Sequence, residues 1–83
     1  MKYPKNYKQV LTIQATRALQ TIDSKSIRPA RSITAAQMAN TTPNAGDVAK
    51  LAELEALAVQ WRGVLAELAA GVDPATITLP SEP

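Results

Sequence analysis

Between Leu51 and Leu68 the apolar residues Leu51, Leu54, Ala58, Trp61, Leu65 and Leu68 follow one another at intervals of three, four, three, four and three. That alternation places all six on one stripe of an α-helix that packs lengthwise against another helix. Leu57 and Val64 widen the stripe on one flank, so the face is too broad and too apolar to be left in water. A chain carrying it must fold into helices that cover it, must bring a partner to it, or both.

The run that carries the stripe is rich in Ala, Leu and Glu and predicts a helix over about 47–70, starting at Pro43 behind a Thr42 cap or, preferably, close to Asp47, which suits the positive helix start, with Gly71 placed as the stop. Gly63 inside it costs about 1 kcal/mol relative to Ala, a cost that a closely approaching backbone would justify. Upstream, Leu11, Ala15, Ala18 and Ile22 recur at helical spacing and predict a helix over about 8–23, although Thr12, Ile13, Thr16 and Thr21 lower its intrinsic propensity. Pro29 decides how the next segment is parsed. Proline in a helix interior costs ~3 kcal/mol, whereas in the first turn it costs little. With Ser26 as N-cap, Pro29 is the third residue of a separate helix over about 27–39; the alternative is one long helix kinked at Pro29. Asn40-Thr41-Thr42-Pro43-Asn44-Ala45-Gly46 gathers turn formers and is the clearest break in the chain.

The expected fold is all-α: a two- or three-helix hairpin or bundle spanning 8–71, with the last helix antiparallel to the earlier ones. A basic arm over 1–7 precedes it and an extended tail over 72–83 follows. In the tail Asp73-Pro74 starts a turn, and Ala75-Thr76-Ile77-Thr78-Leu79 alternates like an edge strand, with Ile77 and Leu79 on one side.

Composition narrows the function classes. Eighty-three residues make one small domain, and a chain of that size buries only roughly 60–65% of its unfolded surface. No cysteine is present to add disulfides or thiolate metal sites, and no histidine to act as general base or ligand. Glu53 and Glu55 are two apart and face different ways on a helix, so they form no carboxylate pair. No Ser or Thr has an evident activator, and the three glycines are too scattered for a phosphate or dinucleotide loop. The expectation is a protein without enzymatic activity, cofactor or metal. No apolar run approaches the ~18 residues of a membrane span, so a protein made and used in a cytoplasm is expected.

The charge is unevenly placed. Residues 1–31 hold seven Lys and Arg against Asp23 alone, and residues 32–83 hold Lys50 and Arg62 against six carboxylates. A basic and an acidic half attract each other within a chain or between copies, which weakens the case for nucleic acid. Lys25, Arg28 and Arg31, at intervals of three, read either as a phosphate-contacting edge assisted by Lys2, Lys5, Lys8, Tyr3 and Tyr7, or as partners of Glu53, Glu55 or Glu67. The second reading carries the greater weight, since nothing resembles a base-reading helix. Trp61 reads equally as an anchor in a partner's pocket and as the plug of the chain's own core.

Ile22-Asp23-Ser24-Lys25-Ser26-Ile27-Arg28-Pro29-Ala30-Arg31, a variable linker, and then Lys50-Leu51-Ala52-Glu53-Leu54-Glu55-Ala56 together resemble small helical proteins encoded among the tail genes of tailed bacteriophages. In them an Asp-x-Lys-Ser-Ile-Arg helix start precedes an Ala/Leu/Glu-rich helix. The likeness covers about residues 18–70, and Pro29 departs from it where a helix former is usual. It implies a tail accessory protein that binds a tail or tail-fibre component, as an assembly chaperone in the host cytoplasm or as a subunit kept in the virion, and it implies no catalytic residue. Self-association is the other expected partnership. The expected contact residues are Leu51, Leu54, Trp61, Leu65 and Leu68, joined by Ile77 and Leu79 if the tail adds to a partner's sheet. The rival from another class is a small nucleic-acid-binding regulator that uses the basic first third.

Overall fold

A computed structural model describes residues 6–83. Two long helices, α1 (Tyr7–Met38) and α2 (Ala45–Ala69), form an antiparallel hairpin, and a short 3₁₀ turn (Pro74–Thr76) leads into an irregular C-terminal segment. The fold is the all-α hairpin that the apolar spacing predicts, built as a rod of 55 × 21 × 16 Å.

Local chemistry sets each end. Asn40 takes a positive φ of 55° just beyond α1, and its N–H and that of Thr41 return to the carbonyls of Gln37 and Ala36. Gly71, at φ 86°, closes α2 in the same way, with Gly71 and Val72 donating to Leu68 and Glu67. Both closures satisfy carbonyls that a helix end otherwise leaves orphaned. Asn44 begins α2, its side-chain oxygen accepting from Gly46 N at 2.8 Å and Asp47 N at 3.3 Å, so the helix starts two residues before the expected Asp47. Asp73 caps the 3₁₀ turn through Ala75 N at 3.0 Å.

α1 runs unbroken through Pro29, so the expected division into helices over 8–23 and 27–39 does not occur. Ser26 is no N-cap; its hydroxyl donates back to the Ile22 carbonyl at 2.7 Å. The physical reason is the seam itself. Ile22 and Pro29 are buried, and Ser26, Ile33 and Ala36 are half-buried, at intervals of four, three, four and three. A break at Asp23 would turn Pro29 and Ile33 away from α2, so burial offsets the hydrogen bond that Pro29 cannot make to Lys25. The threonines fit by a similar device: Thr12 and Thr16 donate to the carbonyls of Lys8 and Thr12, both at 2.8 Å.

The main core lies in the half of the rod away from the interhelical loop. Leu11, Ala15, Ala18 and Ile22 of α1 meet Leu54, Ala58, Trp61, Val64 and Leu68 of α2. The Ser32 hydroxyl donates to Asp47 at 2.6 Å and sets the register near the loop. Counting back along both helices brings Trp61 level with Ala18, and Leu68 level with Leu11. Small residues on α1 thus make room for the one indole, the large-against-small matching that close packing demands. Gly63 faces open space, with nothing within 4 Å of where a Cβ would stand; the close backbone approach expected there is absent.

The strand-like reading of 75–79 also gives way. Ala75 and Thr76 belong to the 3₁₀ turn, and no strand forms among the described residues. Pro74 sits in the first turn of that element, where its missing N–H is harmless. Of the basic arm expected over 1–7, residues 1–5 lie outside the described residues, Asn6 precedes α1, and Tyr7 opens it.

Candidate functional site

The residues singled out for partner contact divide by place. Leu54, Trp61 and Leu68 are buried at 4%, 1% and 2% exposure within the chain's own core. Leu51, Leu65 and Ile77 are half-buried, Leu65 and Ile77 being packed on that core, and Leu79 is exposed. The centre of the stripe therefore faces α1 rather than an outside protein. Val64, read from the sequence as a flank, replaces Leu65 in the core. Nothing in the apolar spacing distinguishes an inside partner from an outside one, because both demand the same stripe.

The C-terminal segment forms a third layer over one flank of the hairpin. Ile77 packs on the core, and the Trp61 indole N–H donates to the Ser81 carbonyl at 3.1 Å. Glu82 and Pro83 then lie beside α1, where the Lys25 ammonium donates to the Pro83 carbonyl. A buried indole needs an acceptor, and a backbone carbonyl of the tail supplies it. The tail therefore reads as a latch on Trp61. No side-chain pattern announces this, because the acceptor belongs to the main chain.

Between the latch and α1 runs an open groove of about 590 Å³, floored by Ala18 and Trp61 and walled by Val10, Ile13, Arg17 and Glu82. Val10 and Ile13 are 42% and 53% exposed there. A second groove, of about 530 Å³, lies on the flank that the tail leaves open, between Leu19 and Asp23 of α1 and Leu51, Glu55, Val59 and Arg62 of α2. A third, of about 780 Å³ near the loop, collects Lys25, Arg28 and Lys50 around Ser24, Ser32 and Asp47.

The ion pairs proposed between the basic stripe and helix α2 do not form. Lys25 turns to Pro83, and neither Arg28 nor Arg31 meets Glu53, Glu55 or Glu67. Residues three apart drift around a helix by about 60° per step, so Arg31 leaves the groove that Lys25 and Arg28 line. Lys50, from the other helix, takes the place beside them. Lys2, Tyr3 and Lys5 lie outside the described residues, and Tyr7 packs against the core.

Among the described residues no group of three or more Asp or Glu stands where it could hold a metal ion, and no helix is long and apolar enough to cross a membrane. Nothing among family models, curated proteins or solved structures matches the chain.

Proposed function

We propose that the chain is a non-enzymatic accessory protein of a bacteriophage tail, which docks a tail or tail-fibre component as an assembly chaperone or as a retained subunit. The phage assignment stands on the Ile22–Arg31 and Lys50–Ala56 likeness alone. The docking assignment is carried by shape. The radius of gyration is 16.4 Å, against about 12 Å for a compact domain of this length. The accessible surface is 6001 Å², against roughly 4,800 Å² for a compact monomer of this mass. A rod that keeps Val10, Ile13 and Val59 exposed, along flanks dressed only by a short tail, suits a molecule that is completed by assembly.

The partner engages the groove beside the latch. Co-expression with the tail and tail-fibre proteins encoded next to it tests this. A complex should copurify, and Ile13→Asp should weaken it while helicity persists, because Ile13 is half in water already. Trp61→Ala is a poor probe, since it damages the core. Copurification that ignores Ile13→Asp would remove the groove, and no complex with any tail component would remove the phage reading.

The convergence of Lys25, Arg28 and Lys50 in one groove favours a second reading, contact with nucleic acid phosphates. Three such contacts give a slope of log K against log salt of about −2.7 on duplex DNA. DNA retention with that slope, lost in Lys50→Gln, would favour it; no retention at low salt removes it.

A further inference from the structure

We infer that the groove near the interhelical loop is a phosphate-binding site, and that a phosphate bound there takes Lys25 from the C-terminal tail, so that filling the groove unlatches Trp61. The inference rests on the second reading of that groove, to which it adds a regulation, and is independent of the phage reading.

Lys25 and Arg28 of α1 and Lys50 of α2 line this groove, and all three are exposed. The register that sets Ser32 against Asp47 brings Lys50 level with Pro29, so cations from both helices converge within about one turn. Arg28 and Lys50 make no hydrogen bond or ion pair among the described residues. The groove's one carboxylate, Asp47, accepts the Ser32 hydroxyl at 2.6 Å and lies in the first turn of α2, where the positive helix start draws on its charge. Three positive charges thus stand together against one negative charge that is already engaged. Two ammonium groups and a guanidinium fork suit a phosphate, whose charged oxygens accept from both. Pro29 is the one apolar side chain of the lining, so the groove offers an apolar ligand almost nothing.

Lys25 stands where the groove meets the tail. Long side chains on a helix lean toward its N-terminus; for Lys25 that is the direction of the tail, and its ammonium donates to the Pro83 carbonyl. Leu54 is level with Lys25 by the same register, and Trp61 lies seven residues further on, about 10 Å along the rod. The tail is held by Ile77 on the core, by the indole bond to the Ser81 carbonyl at 3.1 Å, and by Lys25. No carboxylate holds the Lys25 ammonium in place. A phosphate is a stronger acceptor for it than a peptide carbonyl, because the phosphate is charged. Seated between Arg28 and Lys50, it draws Lys25 to itself, and Pro83 loses its charged anchor. The Ser81 carbonyl, two residues upstream, must then hold Trp61 against the entropy of a freed segment. Binding and latching oppose one another, and by linkage each weakens the other by the same factor.

Titration of the full chain with inorganic pyrophosphate, against sodium chloride at equal ionic strength, provides the test. Calorimetry reads binding, and the emission of Trp61, the only tryptophan, reads the latch. Pyrophosphate should bind and move the emission to longer wavelength with the same midpoint; chloride should do neither. Lys50→Gln and Arg28→Gln should leave the starting emission unchanged and weaken pyrophosphate by about tenfold each. Lys25→Gln should start at the longer wavelength and respond no further. Ile77→Ala, which loosens the tail and lines no part of the groove, should tighten binding. The three cations are exposed, so far-ultraviolet circular dichroism should not change when they are replaced, and Ile77→Ala tests the coupling without touching them. Duplex DNA acting at lower phosphate concentration than pyrophosphate would identify a nucleic acid backbone as the source, and the reverse order a free phosphate compound. Pyrophosphate that binds through Lys50 without moving the emission would overturn the inference and leave the second reading standing. Neither heat nor shift at about 10 mM, well above a millimolar Kd, would overturn both. Affinity unchanged in Lys50→Gln and Arg28→Gln, or in Ile77→Ala, would also overturn the inference.

Discussion

Removing Pro80–Pro83, so that the chain stops at Leu79, should release the Trp61 indole to water without dismantling the hairpin. The loss is small for a stated reason. The indole N–H gives up its bond to the Ser81 carbonyl, but once uncovered it bonds to water instead of standing orphaned, so only the net value of a hydrogen bond is forfeited, about 0.5–1.5 kcal/mol. The half-buried rings of Pro80 and Pro83 contribute some burial, and this is offset by the ~1–2 kcal/mol per residue needed to order the segment. A net change of about 1 kcal/mol lowers Tm by roughly 4–8 °C in a domain of this size. Trp61→Ala, by comparison, should cost about 3–5 kcal/mol, a large share of the roughly 4–12 kcal/mol that an 83-residue chain has in all. Trp61 is the only tryptophan, so the emission comes from this one side chain, and with the hairpin intact its shift on truncation reports the loss of the tail. The truncated chain should emit at longer wavelength than the full chain, with its helical circular dichroism retained. Ser81→Ala, which keeps the accepting carbonyl, should change stability by less than about 0.5 kcal/mol. Emission that does not move on truncation would show that the indole is not roofed by this segment. A Tm loss as large as that of Trp61→Ala would show that the segment is part of the core rather than a cover.

Pro29→Ala should stabilise the chain by roughly 1–2 kcal/mol in thermal denaturation, because it returns an N–H to the Lys25 carbonyl inside a continuous α1 and gives up only a small buried ring. Gly63→Ala should add about 0.5–1 kcal/mol, since its new methyl enters open space on a helix. Asn44→Ala should cost about 0.5–2 kcal/mol by uncapping α2, read as a lower urea midpoint at constant slope.

The stripe from Leu51 to Leu68 was legible because burial of one helical face imposes a spacing that no loop or strand tolerates. The stops at Asn40–Gly46 and Gly71 were legible because a chain leaving a helix through positive φ favours Asn or Gly. Both signals are local. Pro29 misled because its cost is local as well, while the gain that offsets it comes from a continuous seam along which Pro29 is buried and Ile33 half-buried. The tail misled for a related reason: Thr76-Ile77-Thr78-Leu79 alternates like a strand, but no strand edge stands beside it, so Asp73 and Pro74 wind its start into a 3₁₀ turn instead.

The candidate site inverts the same logic. Trp61 and Leu68 carried the strongest apolar signal and for that reason were taken up by the chain itself. What remains for a partner is the weaker signal beside it: Val48, Val59 and half-buried Leu51 on one flank, Val10 and Ile13 on the other. A two-helix hairpin can bury one stripe per helix, so apolar residues some 80–160° away from that stripe are left for other molecules. The tail dresses one flank through Ile77, the Trp61 indole bond to Ser81 and the Lys25 bond to Pro83, and the other flank stays open between Leu19 of α1 and Val59 of α2. The two flanks therefore differ: one can be reached only by displacing a segment already in place, and the other is open as it stands. A partner that displaced the tail would move Trp61 emission, whereas one that filled only the open groove between Leu19 and Val59 would leave that emission where it was.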